Sequence, residues 1–81
     1  MTWEQLDARL RDGWVLFCDG VVGAWIQKAD MQTNVHRKVA GAVLRRDLVV
    51  VHKKHSNHCY SYRSKYEGSN KYGNLYKGES K

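Results

Sequence analysis

The residue types able to do chemistry in this chain gather between His36 and Arg63. His52, His55, His58 and Cys59 stand close together, with His36 and Cys18 elsewhere. A structural zinc ion needs four converging nitrogen or sulfur ligands. Folded as a hairpin turning at Ser56-Asn57, the segment puts His52 and Cys59 on one face, while His55 and His58 flank the turn and face the other way. That spacing matches no zinc-finger pattern, so these histidines read as solvated, and neither a metal nor a cofactor is expected. The chain has no glycine-rich phosphate loop and no nucleophile motif, and its carboxylates scatter over the first half. A Cys59–His36 pair is weak evidence in a protein with two cysteines and four histidines. No enzymatic activity is expected.

What remains is positive charge. Arg37, Lys38, Arg45, Arg46, Lys53, Lys54, His55 and Arg63 are the candidate contacts to a polyanion. Lysines give sequence-independent affinity for phosphate, and an arginine can fork onto guanine O6 and N7. The formal net charge is +6, split between −2 over residues 1–30 and +8 over residues 31–81. Such asymmetry points to a polyanionic partner for one part of the molecule. A chain of 81 residues makes one small domain, whose core must be compact or completed by a partner subunit. No apolar run approaches the roughly 20 residues of a membrane-spanning helix. Met-Thr-Trp-Glu-Gln lacks the positive region and apolar stretch of a secretory signal. The expectation is a soluble, cytoplasmic protein with no membrane partner. Cys18 and Cys59 allow at most one disulfide and read as small half-buried hydrophobes.

The elements that position these groups follow from pattern. Thr2 with Gln5 forms a capping box, and Trp3, Leu6 and Leu10 make one apolar stripe, so residues 1–13 predict a first helix closed by Gly13. Asp19-Gly20 between two β-rich runs predicts a hairpin in which Cys18 faces Val21, Phe17 faces Val22 and Trp14 faces Trp25. One of its surfaces then carries Trp14 and Trp25, a candidate protein or dimer contact or, equally, part of the chain's own core. A helix over Val21–Lys28 is the alternative, disfavoured by Gly20, Gly23 and the Val21-Val22 pair. Residues 28–32 read as a connector, with Thr33 or Asn34 capping a second helix from Val35 to Arg46. In that helix Arg37, Gly41 and Arg45 lie opposite the apolar positions, and the central glycine suggests a close approach by another backbone. Leu48–Val51 then begins a hairpin returning through Tyr60–Arg63, with Val49, Val51 and Tyr62 toward the core. From Ser64 aliphatic residues nearly vanish, which reads as a basic Tyr/Lys/Gly-rich flexible tail over residues 64–81.

The run Val35-His36-Arg37-Lys38-Val39-Ala40-Gly41-Ala42-Val43-Leu44-Arg45-Arg46-Asp47-Leu48-Val49-Val50 resembles winged-helix domains, in which a recognition helix passes directly into a wing hairpin. The resemblance covers residues 34–63, and Asp47 stands where that family commonly has glycine. It implies an α+β winged-helix-like domain over residues 1–63 in the order helix, β-hairpin, helix, β-hairpin. It further implies that Arg37, Lys38 and Arg45 face the major groove or its flanking phosphates, with Lys53, Lys54 and His55 on the wing touching the backbone or minor groove.

The function expected from the sequence is therefore a small basic nucleic-acid-binding regulatory protein, with DNA favoured over RNA. Such a chain would suit a bacterial or phage genome, and a homodimer is possible. The alternative is an interaction module or inhibitor that uses the same basic face to occupy an acidic or nucleic-acid-binding surface of another protein. The Tyr66, Tyr72 and Tyr76 tail, interleaved with lysines, would favour RNA.

Overall fold

Thr2 opens the structure as the N-cap of helix α1 (Trp3–Arg11). Its hydroxyl accepts the Gln5 N–H at 3.2 Å, and the Gln5 side chain returns the bond to the Thr2 N–H at 2.9 Å. The computed structural model describes residues 1–68; the part of the expected tail from residue 69 onward lies outside the described residues. After Gly13, whose φ of +103° ends the helix, come β1 (Val15–Asp19), β2 (Gly23–Lys28) and β3 (Met31–Val35). Helix α2 (Arg37–Arg45) and the hairpin strands β4 (Val49–Ser56) and β5 (Cys59–Ser64) complete the order. The five strands form one antiparallel sheet in the order β3-β2-β1-β5-β4. Both helices cover one face of it. Leu6 and Leu10 from α1 and Val43 from α2 meet Leu16 of β1 and Ile26 of β2 in a single core, all without solvent exposure.

Over the described residues the chain is thus α+β with two helices, but its element order is helix, three strands, helix, two strands. The helix–hairpin–helix–hairpin order expected of a winged-helix domain is not the one observed. The difference is β3. Residues read as a connector and helix cap pair with β2 instead, Met31 opposite Lys28 and Asn34 opposite Trp25. The turn between them, Ala29-Asp30, puts Ala29 at φ +54°, a left-handed conformation with no glycine to announce it. Helix α2 consequently starts later, and His36 is its cap, the imidazole Nδ1 accepting the Lys38 N–H at 3.1 Å. At its other end Asp47 takes φ +57°, filling the left-handed position usually given to glycine.

The first hairpin exists but in a different register. Asp19 Oδ1 accepts the N–H groups of Val21 and Val22 at 2.7 and 3.0 Å, and Gly23 sits at φ +130°. These bonds stabilise a three-residue loop, so Asp19 faces Gly23, Cys18 faces Ala24 and Phe17 faces Trp25. The slip relative to a tight Asp-Gly turn is three residues. An odd slip turns a strand over. Ala24 and Ile26 therefore join Leu16 and Cys18 beneath the helices, while Trp25 stands beside Phe17 on the outer face. Trp14 and Trp25 share no surface: Trp14 is buried in the core with the Arg9 guanidinium 5.4 Å from its ring centre.

In the second hairpin Val51 faces Tyr62 as expected, and irregularities then shift the pairing to Lys53–Ser61, Lys54–Tyr60 and Ser56–Cys59. Val49 is in the core, but Val51 is mostly exposed. Strand β5 runs through Ser64, and the residues after it stay on the fold: Gly68 N–H donates to the Arg11 carbonyl at 2.7 Å, and the Arg11 guanidinium lies 4.6 Å from the Tyr66 ring centre.

Candidate nucleic-acid interface

Helix α2 contains no acidic residue, and its first turn holds Arg37 and Lys38. Cations at a helix N-terminus oppose the backbone dipole by about 0.3–1 kcal/mol each. The helix forms despite this because Ala40 and Val43 bury its inner side. Lys38, Gly41, Ala42 and Arg45, at i, i+3, i+4 and i+7, form the pole farthest from the core. Two small, half-buried residues lie between the two cations, and the Arg45 guanidinium folds back over Gly41.

Gly41 has no packing reason to be glycine. A Cβ there would meet only the Arg45 guanidinium, at 3.2 Å, within 4 Å beyond its own helix backbone and chain neighbours. The glycine instead edges a groove of about 310 Å³ between α2 and the sheet, floored by Cys18, Tyr60 and Tyr62. Leu44 and Arg37 line it from the helix side. The Lys54 ammonium lies 5.9 Å from the Tyr60 ring centre, close enough for a cation–π contact. Burial pushes the Cys18 thiol up to about 11, with the nearby Cys59 adding to the shift, so the groove floor carries no thiolate near neutrality. Burial likewise raises the Tyr62 phenol.

The remaining expected contacts divide between two sides of the sheet. Arg37 donates to the carbonyl oxygens of Val21 at 3.2 Å and Gly20 at 3.5 Å, fastening α2 to the first hairpin loop. Arg46 lies over Trp3, 4.3 Å from the ring centre, and donates to the Ala42 carbonyl at 3.4 Å. These two guanidiniums are partly occupied in holding the fold. Lys53, His55 and Arg63 face the opposite way from Lys54, because the shifted pairing puts Lys53 level with Ser61 rather than Tyr60. His55 Nε2 is 3.0 Å from the Ser61 hydroxyl, and its ring lies 5.4 Å from Phe17. Arg63 Nε donates to Glu67 Oε1 at 3.0 Å, a bond that raises the guanidinium's pKa further.

Ion pairing sharpens the contrast. Asp7 faces Arg11, Asp12 faces Lys28, Asp47 faces Lys65 at 2.6 Å and Glu67 faces Arg63. Asp19 is held below the usual carboxylate range, chiefly by the Val22 and Val21 N–H bonds. Among the described residues, Arg37, Lys38, Arg45, Arg46, Lys53 and Lys54 enter no ion pair. Arg37 and Arg46 donate to carbonyl oxygens instead.

The outer face adds what the sequence reading missed. One rung crosses all five strands: Asn34, Trp25, Phe17, Ser61 and Lys53. Phe17 and Trp25 stack with ring planes 2° apart and centroids 5.3 Å apart. Both residues stood in the sequence as members of β-rich runs, and only the odd register slip brings them together. Among the described residues no three His, Cys, Asp or Glu side chains gather to hold a metal ion. No helix of the described residues is long and apolar enough to cross a membrane. Comparison with protein-family models, curated proteins and solved structures yields no match.

Proposed function

We propose that this chain is a small nucleic-acid-binding protein of regulatory or accessory type that grips the sugar–phosphate backbone along the outer pole of α2. The observation that carries this reading is the Lys38–Gly41–Ala42–Arg45 pole: cations at both ends, small residues between, and no carboxylate on the helix to cancel them. Arg37 and Lys54 extend the positive rim along the groove beside it. The support is this charge geometry and the direct passage from α2 into the β4–β5 hairpin, rather than a winged-helix topology. Lys53 and His55 belong to a second positive patch on the other side of the sheet.

The test is a salt titration of binding to random-sequence duplex. For a phosphate grip, log K falls linearly with log salt, by about 0.9 for each phosphate neutralised on duplex DNA. Replacing Lys38 and Arg45 together with alanine removes two contacts and lowers the slope by roughly 2. No binding to duplex or single strand at low salt would overturn the reading and leave an acidic protein surface as the partner. An unchanged slope in the double variant would move the grip away from α2.

A further inference from the structure

Two aromatic side chains on the uncovered face of a sheet invite a plain explanation. A cross-strand aromatic pair stabilises a sheet by itself, by roughly 0.2–1 kcal/mol. That accounts for Phe17 beside Trp25. It does not account for the groups in line with them. Asn34 adjoins Trp25 on β3, Gln27 and Gln32 pair across β2 and β3 one step along the same face, and Lys53 closes the rung at β4. His55 and Arg63 flank Lys53 on that face.

From these positions we infer that the outer sheet face binds single-stranded nucleic acid, with a base stacked on the side of Trp25 turned away from Phe17, whose own ring is held between Trp25 and His55. This rests on the nucleic-acid reading above and specifies the form of the ligand. Bases inside a duplex have their π-faces covered by their neighbours, whereas those of a single strand can lie flat on an aromatic platform. Asn34, Gln27 and Gln32 each carry an amide able to donate and accept, the equipment for hydrogen-bonding a base edge. Lys53 offers an ammonium to the phosphate that follows; His55, beside it, is held by the Ser61 hydroxyl, and Arg63 by Glu67. Five strands span roughly 19 Å from β3 to β4, room for the stacked base and the nucleotides on either side of it. The charge is complementary too. No carboxylate lies on the rung; Asp19 is bound to the Val21 and Val22 N–H groups at the loop end, and Glu67 is taken up by Arg63, which leaves Lys53, among the described residues, as the cation of this face outside any ion pair.

The experiment uses the full chain and two probes, an oligothymidylate of about twelve nucleotides and a random duplex of similar length, followed by tryptophan fluorescence and anisotropy. The single strand is expected to quench the emission of Trp25, since Trp14 is buried in the core and Trp3 lies beneath the Arg46 guanidinium on the helix-covered side of the sheet. Trp25→Ala should weaken single-strand binding by about 5- to 150-fold, the loss of one stacked base, without altering the salt slope. Trp25→Phe should keep most of the affinity and lose the quench. A thermal melt establishes that each variant is folded; if Trp25→Ala is not, Trp25→Phe and Lys53→Ala carry the comparison, the second lowering both affinity and slope. Duplex binding with single-strand affinity indifferent to Trp25 and Lys53 overturns this inference alone. Failure to bind either probe overturns the nucleic-acid reading with it.

Discussion

Truncating Asp7 to alanine removes the carboxylate that faces Arg11 inside the protein. The two side chains are 3.1 Å apart at i,i+4 spacing on α1, with 0% and 5% of their surfaces exposed. Breaking a buried pair from one side costs about 3–5 kcal/mol, because the remaining charge has lost the opposing carboxylate without regaining water. Arg11 keeps the Tyr66 ring at 4.6 Å, so we predict the low end, near 3 kcal/mol. A domain of this size holds about 4–12 kcal/mol in total, so Asp7→Ala should lower Tm by roughly 12–24 °C. The double variant Asp7→Leu/Arg11→Met replaces the pair with apolar groups of similar volume and should stay within about 1 kcal/mol of the parent. Urea denaturation read by circular dichroism and by tryptophan emission measures all three chains. A single variant losing under about 1 kcal/mol, or a double variant worse than the single, would refute the reasoning.

Two further outcomes follow from the groove. Gly41→Ala should fold and gain up to about 1 kcal/mol, since alanine is the better helix former and the Cβ meets only a movable guanidinium. The same change should weaken nucleic-acid binding by crowding the outer pole of α2; equal binding with raised stability would detach the glycine from function. The raised Cys18 thiol predicts an alkaline limb in stability. The folded group stays protonated to about 11, so its contribution is complete below the unfolded value near 8.5 and is lost as pH rises through 11. Cys18→Val should flatten that limb in urea melts. Peptide mapping after iodoacetamide at mildly alkaline pH should show Cys18 alkylated roughly 100-fold more slowly than free cysteine, and equal rates would contradict its burial.

Much of the helical part was legible because its signals are local. Thr2 and Gln5 specify a capping box in four residues, and the apolar positions of α2 repeat at helical spacing whatever packs against them. The register of the first hairpin was not legible, because Asp19 acts through its side chain. By binding two N–H groups it converts an apparent two-residue turn into a longer loop, and the odd slip exchanges the two faces of β2. Strand β3 was hidden by Ala29, which adopts a glycine-like backbone without being glycine, and by His36, an uncommon helix cap. The division of Lys53 from Lys54 rests on a pairing irregularity that no residue type announces. Positive charge could therefore be located along the chain, while its partition between two sides of the sheet depended on register.

Strand β1 lies between β2 and β5, its immediate successor and the last strand among the described residues. A nascent chain leaving the ribosome can complete α1 and the three-strand meander early, yet one long side of β1 keeps its amides unpaired until Ser61 and Tyr62 emerge. The chain must be made as far as β5 before the centre of the molecule is sealed, and a chain halted within β4 would offer that open strand to its neighbours on the polysome.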